Sequence, residues 1–383
     1  MSSSGKTAER PQGDVREIDC HGPGLTRRRV GRGFTYLDAD GERVTDEDVL
    51  ARVKALAIPP AWTDVWICSD ALGHIQATGV DAKGRRQYLY HEVWRERRDR
   101  EKFDRMLELA RALPRLRSRL ESDLAGEGMG RERVLACAVR LLQVGLFRVG
   151  GEAYVEDNGS YGLATVRKGH VRAVGDELRF DYPSKSGQRR VVTIADPHVA
   201  DVVRALKRRR GGGPELLAYK DDRGRWLDVR SSDINEYLQD ALGPGFSAKD
   251  FRTWAATVVA AVALASETSD EDAGRSARER AVRRVVKGVA QQLGNTPAVA
   301  RSAYVDPRVI ERFAEGETVA DAVDDDVADE IAGDLVADDP GQDDDAVVLE
   351  AVPSDLLSEV ESAVVDLIEK APGTTARRRR RRS

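Results

Sequence analysis

Hydrophobic and polar residues follow two different periods along this chain, with short alternating runs before residue 100 and helical spacing after it. The run FTYLD at 34–38, followed by the turn residues ADGE at 39–42, predicts a hairpin. Thr45 and the acidic residues after it predict a capped helix, which IPPAW at 58–62 ends. Further short strands are predicted at Val65–Ser69, Ile75–Val80 and Gln87–Tyr90.

Helical spacing dominates the rest of the chain. A charged helix is predicted over 99–124, divided at Pro114, and a strongly apolar helix over 131–147, ending at Gly150-Gly151. Residues 162–194 hold the strand-like segments of the second half and predict a three-stranded sheet. The other predicted helices are 232–241, 249–265, 274–293, 297–304 and 307–314.

These elements predict an α+β protein, with a small β-rich N-terminal domain and a mainly helical second domain that contains a small three-stranded sheet. The polar start of the chain and its acidic end lack the apolar residues of a core. The predicted regions are a disordered N-terminus at 1–24, the β-rich domain at 25–100, the helical domain at 101–315, an acidic flexible linker at 316–350, and an amphipathic helix with a poly-Arg tail at 351–383.

Charge is distributed very unevenly, although the whole chain of 383 residues has a formal charge of only −5. Residues 1–315 carry +7, residues 316–376 carry −18, and the six arginines at 377–382 carry +6. A basic body suggests a domain that binds a polyanion, and the tail is a candidate for binding DNA or another macromolecule.

Several classes of protein do not fit the sequence. The longest near-apolar run, 255–265, is about half of the ~20 residues that span a bilayer, and the polar start lacks a secretory signal. SSSGKT at 2–7 lacks the first glycine of a phosphate-binding loop, and HEVWR at 91–95 has arginine where a zinc-protease helix needs its second histidine. The three cysteines form no CxxC pair. We therefore expect a cytoplasmic protein without a metal or a cofactor.

The segment GRRQYLY at 84–90 is the candidate binding surface of the first domain. Tyr88 and Tyr90 lie on one face of the predicted strand, because strand side chains alternate. Arginines suit phosphate groups, while glutamine and tyrosine reach or stack on bases. The alternative is a charged hairpin with two half-buried tyrosines.

Four residues of the second domain are candidates for chemistry, although each has an ordinary structural explanation. Arg148 could cap a helix C-terminus, and Lys185 in YPSKSGQ could be a surface lysine of a turn. Tyr304 could pack between two short helices. Arg252 lies in a near-apolar helix, where a buried charge needs a partner.

The ordered set of these residues and the segments around them resembles the poxvirus-type (small bacterial) type IB DNA topoisomerases. The resemblance covers about residues 30–315. It is carried by seven segments in family order, namely IPPAWTDVWIC, GVDAKGRRQYLYH, LFRVGGEAY, GLATVRKGH, ELRFDYPSK, KDFRTW and GNTPAVARSAY.

The resemblance implies an enzyme that relaxes supercoiled DNA through a 3′-phosphotyrosyl intermediate, without ATP or an obligatory metal. Tyr304 matches the nucleophile, Arg148 and Arg252 match two arginines that bind the phosphate, and Lys185 matches the general acid. Asn295 stands where poxvirus members have histidine. Its amide can still donate to a phosphate oxygen, but it cannot act as an acid.

The implied partner is double-stranded DNA, with a monomer clamped around the duplex and no membrane. The implied catalytic fold is that of the tyrosine recombinases and type IB topoisomerases, and the expected location is the nucleoid. The residues expected to bind DNA are Lys83, Arg85, Arg86, Gln87, Tyr88, Tyr90 and Lys249.

Two other functions remain open from the sequence. A tyrosine recombinase would share the catalytic domain, but such enzymes usually have His-x-x-Arg where this chain has Lys249-Asp250-Phe251-Arg252, and their N-terminal domain is usually helical. A non-catalytic DNA-binding protein on the same fold is the third possibility. The sequence supports it only through Asn295.

Overall fold

The structure is a computed structural model that describes residues 14–152, 155, 159–267, 274–324, 327–328, 331, 347–350 and 354–370. It divides into two compact units, Met1–Asp104 and Arg105–Ser383. Most of the predicted acidic linker and the poly-Arg tail lie outside the described residues. In the described part of the chain, no helix is both long and apolar enough to cross a membrane.

The first unit contains one five-stranded antiparallel sheet, in the order β2-β1-β3-β4-β5. One helix packs on it. The elements are β1 (Leu25–Val30), β2 (Gly33–Leu37), α1 (Glu47–Ala55), β3 (Thr63–Ile67), β4 (Ile75–Val80), β5 (Arg86–Tyr90) and the start of α2 (Glu92–Leu124).

The core of this unit forms because apolar residues from the sheet and α1 point inward. Val53 of α1 packs against Ile67 and Ala77 of the sheet, with Leu89 of β5 against the same cluster. Arg27 holds IPPAW in place by donating to the carbonyl groups of Ile58, Pro59 and Trp62 at 2.7–3.2 Å. The predicted strands β3, β4 and β5 are confirmed.

Two predictions for this unit are wrong, and a third is confirmed only in part. The prediction of disorder at 1–24 is wrong for residues 14–24, since Arg16 forms a β-bridge with Gly73 and the Ile18 N–H donates to His74. Residues 1–13 lie outside the described residues. The predicted hairpin at 34–42 is present in short form, as one antiparallel bridge between Leu37 and Arg43, with the Asp38 N–H donating to the Glu42 carbonyl at 2.9 Å. The main partner of β2 is β1, which was not predicted because its three consecutive arginines hid the strand pattern. The cap of α1 is Asp46, not Thr45.

The second unit is mainly helical and surrounds one buried helix, α3 (Arg131–Gly145). The remaining elements are β6 (Val171–Val174), β7 (Glu177–Pro183), β8 (Arg189–Ala195), α4 (Pro197–Arg208), β9 (Ala218–Lys220), β10 (Trp226–Asp228), α5 (Ser231–Leu242), α6 (Ala248–Ser266), α7 (Arg275–Leu293), α8 (Pro297–Ala303), α9 (Pro307–Ala314), β11 (Val347–Glu350) and α10 (Ser354–Glu369).

The core of the second unit lies around α3, whose apolar side chains contact α4, α5, α6 and β8. The five helices predicted between 232 and 314 are confirmed to within a few residues. Helix α4 and the small β9–β10 hairpin were not predicted from the sequence. Asp196 caps α4 by accepting from His198 and Val199, and Pro197 occupies its first turn, so a start signal was present.

The sheet of this unit has four strands, in the order β11-β8-β7-β6, rather than the predicted three. Strands β6, β7 and β8 form the expected antiparallel meander. Strand β11 adds in parallel to β8, with Val347 opposite Val192 and Glu350 opposite Ala195. Val347–Glu350 is thus a strand inside the segment 316–350 that was predicted to be a linker.

The bounds of two predicted helices differ from the structure. Helix α2 begins at Glu92, seven residues before the predicted start at 99. Helix α2 continues through Pro114, because Leu109, Leu113 and Leu116 on either side of it are buried on one face and packing offsets the lost hydrogen bond. Helix α3 ends at Gly145, five residues before the predicted stop at Gly150, and Leu146 takes the left-handed conformation (φ 49°). Arg148 therefore lies in a loop beyond the helix.

The predicted amphipathic helix near the C-terminus is present as α10 and packs on the second unit. Glu361 of α10 accepts from Arg117 of α2 at 2.5 Å and from the Trp254 indole of α6 at 3.0 Å. Val360, Val364 and Leu367 are buried on the same side of the helix. The C-terminal helix is therefore part of this unit.

Candidate active site

Four of the five predicted catalytic residues come together in the second unit. Arg148 follows α3, Arg252 lies in α6, Asn295 follows α7, and Tyr304 ends α8. The Arg252 guanidinium carbon lies 5.6 Å from the centre of the Tyr304 ring, and Arg148 donates to the Asn295 side chain at 2.6 Å. Residues 156 positions apart in sequence thus share one small site.

Arg252 is almost fully buried, with 3% of its surface exposed. Its guanidinium donates to the Leu146 carbonyl and, at 2.7 Å, to the Leu293 carbonyl. Burial, together with the positive charges of Arg148 and Arg190, lowers the pKa of Arg252 to about 10. The group remains a cation at neutral pH and is held at the ends of α3 and α7.

Arg148 is positioned by a close approach of two glycines. Its carbonyl accepts from the Leu163 N–H at 2.8 Å. Gly150 has φ +79°, and a Cβ there would lie 2.7 Å from the Gly162 Cα. Because only glycine fits both positions, the segments FRVGG and YGLA lock together and fix the loop that carries Arg148.

Asn295 follows the residue that ends α7, Gly294, which is left-handed (φ +60°). The Asn295 Oδ1 accepts from Arg148, which also donates to the Gly294 carbonyl at 2.8 Å. The Asn295 Nδ2 is buried and has no hydrogen-bond partner among the described residues. This N–H lies close enough to the Tyr304 phenol to favour its ionised form.

Tyr304 is held through its backbone by the helix that carries Arg252. The Thr257 hydroxyl of α6 lies 3.1 Å from the Tyr304 carbonyl and accepts from the Asp306 N–H. Burial opposes ionisation of the phenol, but the charges of Arg252 and Arg148 and the nearby Asn295 amide outweigh it, so the pKa of Tyr304 lies below its ordinary value. The site therefore favours the phenolate.

Lys185 is the one predicted catalytic residue that the structure does not bring to this cluster. It is exposed and begins the short turn Lys185–Gly187 between β7 and β8, as the sequence predicted. The base of the hairpin is closed by the Ser184 N–H, which donates to the Gln188 carbonyl at 2.7 Å. No contact of the Lys185 side chain with the other four residues is found in the described part of the chain.

The predicted binding residues of the first unit lie on β5 and the turn before it. Tyr88 and Tyr90 are 42% and 44% exposed on one face and stack with ring centres 6.1 Å apart, while Leu89 faces the core. Lys83, Arg85 and Arg86 are exposed, with Arg85 bound to Asp81 and Arg86 to Asp64. The side chain and the backbone N–H of Arg85 both donate to Asp81 and lower the pKa of that carboxyl to about 2.

The last two of these predicted residues are also on the surface or close to it. Gln87 is partly buried and donates to Asp81 at 2.9 Å. Lys249 belongs to the second unit and is exposed in the first turn of α6. Both side chains are thus at least partly accessible to a ligand.

Two residues of the site were missed from the sequence, Arg190 and Thr257. Arg190 donates to the carbonyl groups of Gln292 and Gly145 at 2.8 and 2.7 Å, next to Arg148 and Arg252. Neither residue stands in a recognisable motif, because RRVVTI reads as an ordinary strand and Thr257 sits in an apolar helix.

Comparisons with known proteins agree on one family. The family model described as "eukaryotic DNA topoisomerase I, catalytic core" matches residues 91–323, and the model of the N-terminal domain of bacterial DNA topoisomerase IB matches residues 33–81. DNA topoisomerase 1B of Acanthamoeba polyphaga mimivirus is 33% identical over 296 residues, which are 76% of this chain and 87% of that protein.

More distant relatives have related names. DNA topoisomerase 1B of vaccinia virus (strain Copenhagen) is 22% identical over 278 residues, 69% of this chain and 81% of the viral protein. DNA topoisomerase 1 alpha of Arabidopsis thaliana is 26% identical over 176 residues, 45% of this chain and 18% of the plant protein.

Proposed function

This chain belongs to the type IB DNA topoisomerase family, and we propose that Tyr304 is the residue with which it breaks and rejoins DNA. The family relaxes supercoiled DNA by cutting one strand transiently. The observation that carries the assignment of Tyr304 is the set of groups around its phenol: the buried Arg252 cation, Arg148, and the unpartnered amide of Asn295.

The proposed reaction begins with attack of the Tyr304 phenolate on a phosphodiester phosphorus. The tyrosyl O–P bond forms on the 3′ side, the bond from phosphorus to the 5′ oxygen breaks, and the 5′ oxygen leaves with a proton as a hydroxyl group. The free pKa of tyrosine is about 10. The lowered pKa of Tyr304 raises the fraction of phenolate at neutral pH.

The transition state carries extra negative charge on the non-bridging oxygens, and the site offers three donors for it. Arg148 and Arg252 supply guanidinium groups, which suit phosphate oxygens. Asn295 supplies the neutral N–H that lacks a protein partner. Donors fixed in place before the reaction stabilise such charge without reorganisation.

We assign the proton for the leaving 5′ oxygen to Lys185. Its place on the exposed hairpin between β7 and β8 means that it must approach the cluster when DNA binds. Religation is the reverse: the 5′ hydroxyl returns its proton to Lys185 and attacks the phosphotyrosyl bond. Because the bond energy is retained, the cycle needs no ATP.

Duplex DNA is the substrate that we propose for both units. Stacked, exposed Tyr88 and Tyr90 beside Arg85 and Arg86 form a surface suited to phosphates and bases. We propose that the enzyme acts as a monomer on chromosomal DNA and requires no metal, since arginine, amide and phenol groups serve the phosphate directly.

The test is Tyr304→Phe, assayed on supercoiled plasmid and on a labelled duplex. Loss of relaxation and of the covalent adduct, with duplex binding retained, would support the proposal. An adduct mapped to another tyrosine, or to a 5′ phosphate, would refute it. A recombinase would instead give products only between paired specific sites.

A further inference from the structure

We infer that Arg190 is a positioning residue for the general acid: it fixes the base of the Lys185 hairpin to the helix ends that hold the two phosphate-binding arginines. The inference rests on the proposed function, because it concerns how Lys185 reaches the 5′ oxygen. Arg190 itself need not touch DNA.

Arg190 connects three elements through its guanidinium group. It lies at the start of β8, and its two terminal nitrogens donate to Gln292 of α7 at 2.8 Å and to Gly145 of α3 at 2.7 Å. The Leu146 carbonyl lies 3.5 Å from the second nitrogen. The guanidinium group of Arg190 therefore connects β8 to the ends of α3 and α7.

The same two helix ends hold the other two arginines. Arg252 donates to Leu146 and Leu293, and Arg148 donates to Gly294. The last carbonyl groups of a helix lack partners within the helix and carry partial negative charge. They are suitable acceptors for three cations packed closely together.

The cations also keep their charge available to a ligand. Within the described residues, Arg148, Arg190 and Arg252 have no carboxylate at ion-pair distance. Their partners are backbone carbonyls, the Asn295 amide and the phenols of Tyr182 and Tyr304. Arg148 and Arg190 both pack closely on Gly294, since a Cβ placed on that glycine would lie 3.6 Å from Arg148 Nη1 and 3.8 Å from Arg190 Nη1. Moving Arg190 would therefore disturb the loop beside Asn295.

The pairing of β7 with β8 connects Arg190 to the hairpin that carries Lys185. Tyr182 of β7 lies opposite Arg190, and Lys185 follows Tyr182 by three residues. The buried Tyr182 ring stacks on Phe147, which immediately precedes Arg148, with ring centres 6.2 Å apart. The arginine thus fixes the strand pair from which the turn with the acid projects.

Carbonyl groups engage both terminal nitrogens of Arg190, as they do those of Arg252. A positioning role is favoured for Arg190 because its guanidinium carbon lies 5.7 Å from the centre of the Phe147 ring, whereas that of Arg252 lies 5.6 Å from the centre of the Tyr304 ring. A positioning role and a phosphate contact predict different results with different leaving groups. A general acid matters when an alkoxide leaves and becomes unnecessary when a thiolate leaves. A phosphate contact matters equally for both.

The experiment measures single-turnover cleavage by the full chain, at saturating enzyme, on duplexes with either a 5′-bridging oxygen or a 5′-bridging sulfur. We expect Arg190→Met to slow cleavage of the oxygen substrate about 100-fold, as misplacement of a reacting group does. On the sulfur substrate we expect a rate within about threefold of the unaltered enzyme, because no proton is needed.

Arg189→Met is the matched control, since Arg189 is the preceding residue, is exposed, and pairs with Asp181 at 2.7 Å. It should leave both rates within about threefold. An Arg190→Met loss that is equal on the two substrates would overturn the inference, and so would an unchanged rate on oxygen.

Arg190→Lys covers the case in which the methionine variant does not fold. It keeps the charge, but one ammonium group cannot replace a fork between Gly145 and Gln292. We expect a loss of about tenfold on oxygen, again relieved on sulfur. A lysine variant as fast as the unaltered enzyme on oxygen would show that charge alone is needed, contrary to the inference.

Lys185→Ala separates this inference from the proposed function. If sulfur fails to rescue Lys185→Ala, the assignment of the acid fails and the role of Arg190 fails with it. If sulfur rescues Lys185→Ala but not Arg190→Met, the inference about Arg190 alone fails. If both are rescued, the double variant should be no slower on oxygen than Lys185→Ala.

Discussion

Removal of the Glu361 carboxylate should destabilise the second unit strongly. Glu361 and Arg117 have side chains only 8% and 4% exposed, so water does not screen the charge that is left behind. Loss of one partner of a buried ion pair costs about 3–5 kcal/mol, and the Trp254 N–H would lose its acceptor as well. We therefore expect Glu361→Ala to lower the free energy of unfolding of this unit by about 3–5 kcal/mol.

Urea unfolding at pH 7, followed by tryptophan fluorescence, measures this effect. With a slope of about 3 kcal/mol/M, which suits a unit of this size, the midpoint should fall by about 1–1.7 M. Glu359→Ala is the matched control, because Glu359 is exposed on the same helix and should change the midpoint little.

A double variant, Arg117→Met with Glu361→Leu, tests the physical reason. Replacing both charges with apolar groups should restore most of the stability, since burial of the charges is itself costly. Burial also raises the pKa of Glu361, against the opposing effects of Arg117 and Trp254. A Glu361→Ala midpoint within about 0.2 M of the parent, or a double variant as unstable as the single one, would refute the reasoning.

The other predictions concern catalysis. The rate of cleavage of the 5′-sulfur substrate should increase with pH up to the lowered pKa of Tyr304. Arg252→Gln should move that rise to higher pH, because it removes the charge that most favours the phenolate. An unchanged midpoint in the pH–rate profile would contradict this. Gly150→Ala should reduce the rate of plasmid relaxation about 100-fold, because the new Cβ would collide with Gly162 and displace the loop that carries Arg148. Gly175→Ala is the control, since Gly175 also has a positive φ but faces open space, and it should have little effect. Equal losses in the two variants would show that backbone strain at positive φ, and not the contact with Gly162, is responsible.

Local signals in the sequence were enough to place several parts of the site. Gly294, Thr296 and Pro297 mark the end of α7 and the start of α8, and so put Tyr304 at a helix end. The Pro/Gly turn put Lys185 at a hairpin tip. Caps and turns depend on residues that are close in sequence, so they can be predicted without knowledge of the tertiary structure.

The structural features that the sequence did not predict depend on contacts between distant segments of the chain. Helix α2 passes Pro114 because buried leucines on other turns hold it, which the proline alone does not reveal. Strand β11 exists by pairing with β8, more than 150 residues earlier. Arg190 looks like an ordinary strand residue until α3 and α7 bring their carbonyl groups to it.

The docked C-terminal helix also determines how far the last arginines can travel. Arg111 binds Glu369 at 2.5 Å and Lys370 lies 3.6 Å from Glu317, so the chain leaves the second unit at a fixed point. The first arginine of 377–382 follows Lys370 by seven positions, and covalent geometry limits that span to about 25 Å. A polyanion gripped by those arginines would be tethered to the enzyme, at an effective concentration set by this short reach rather than by the bulk solution.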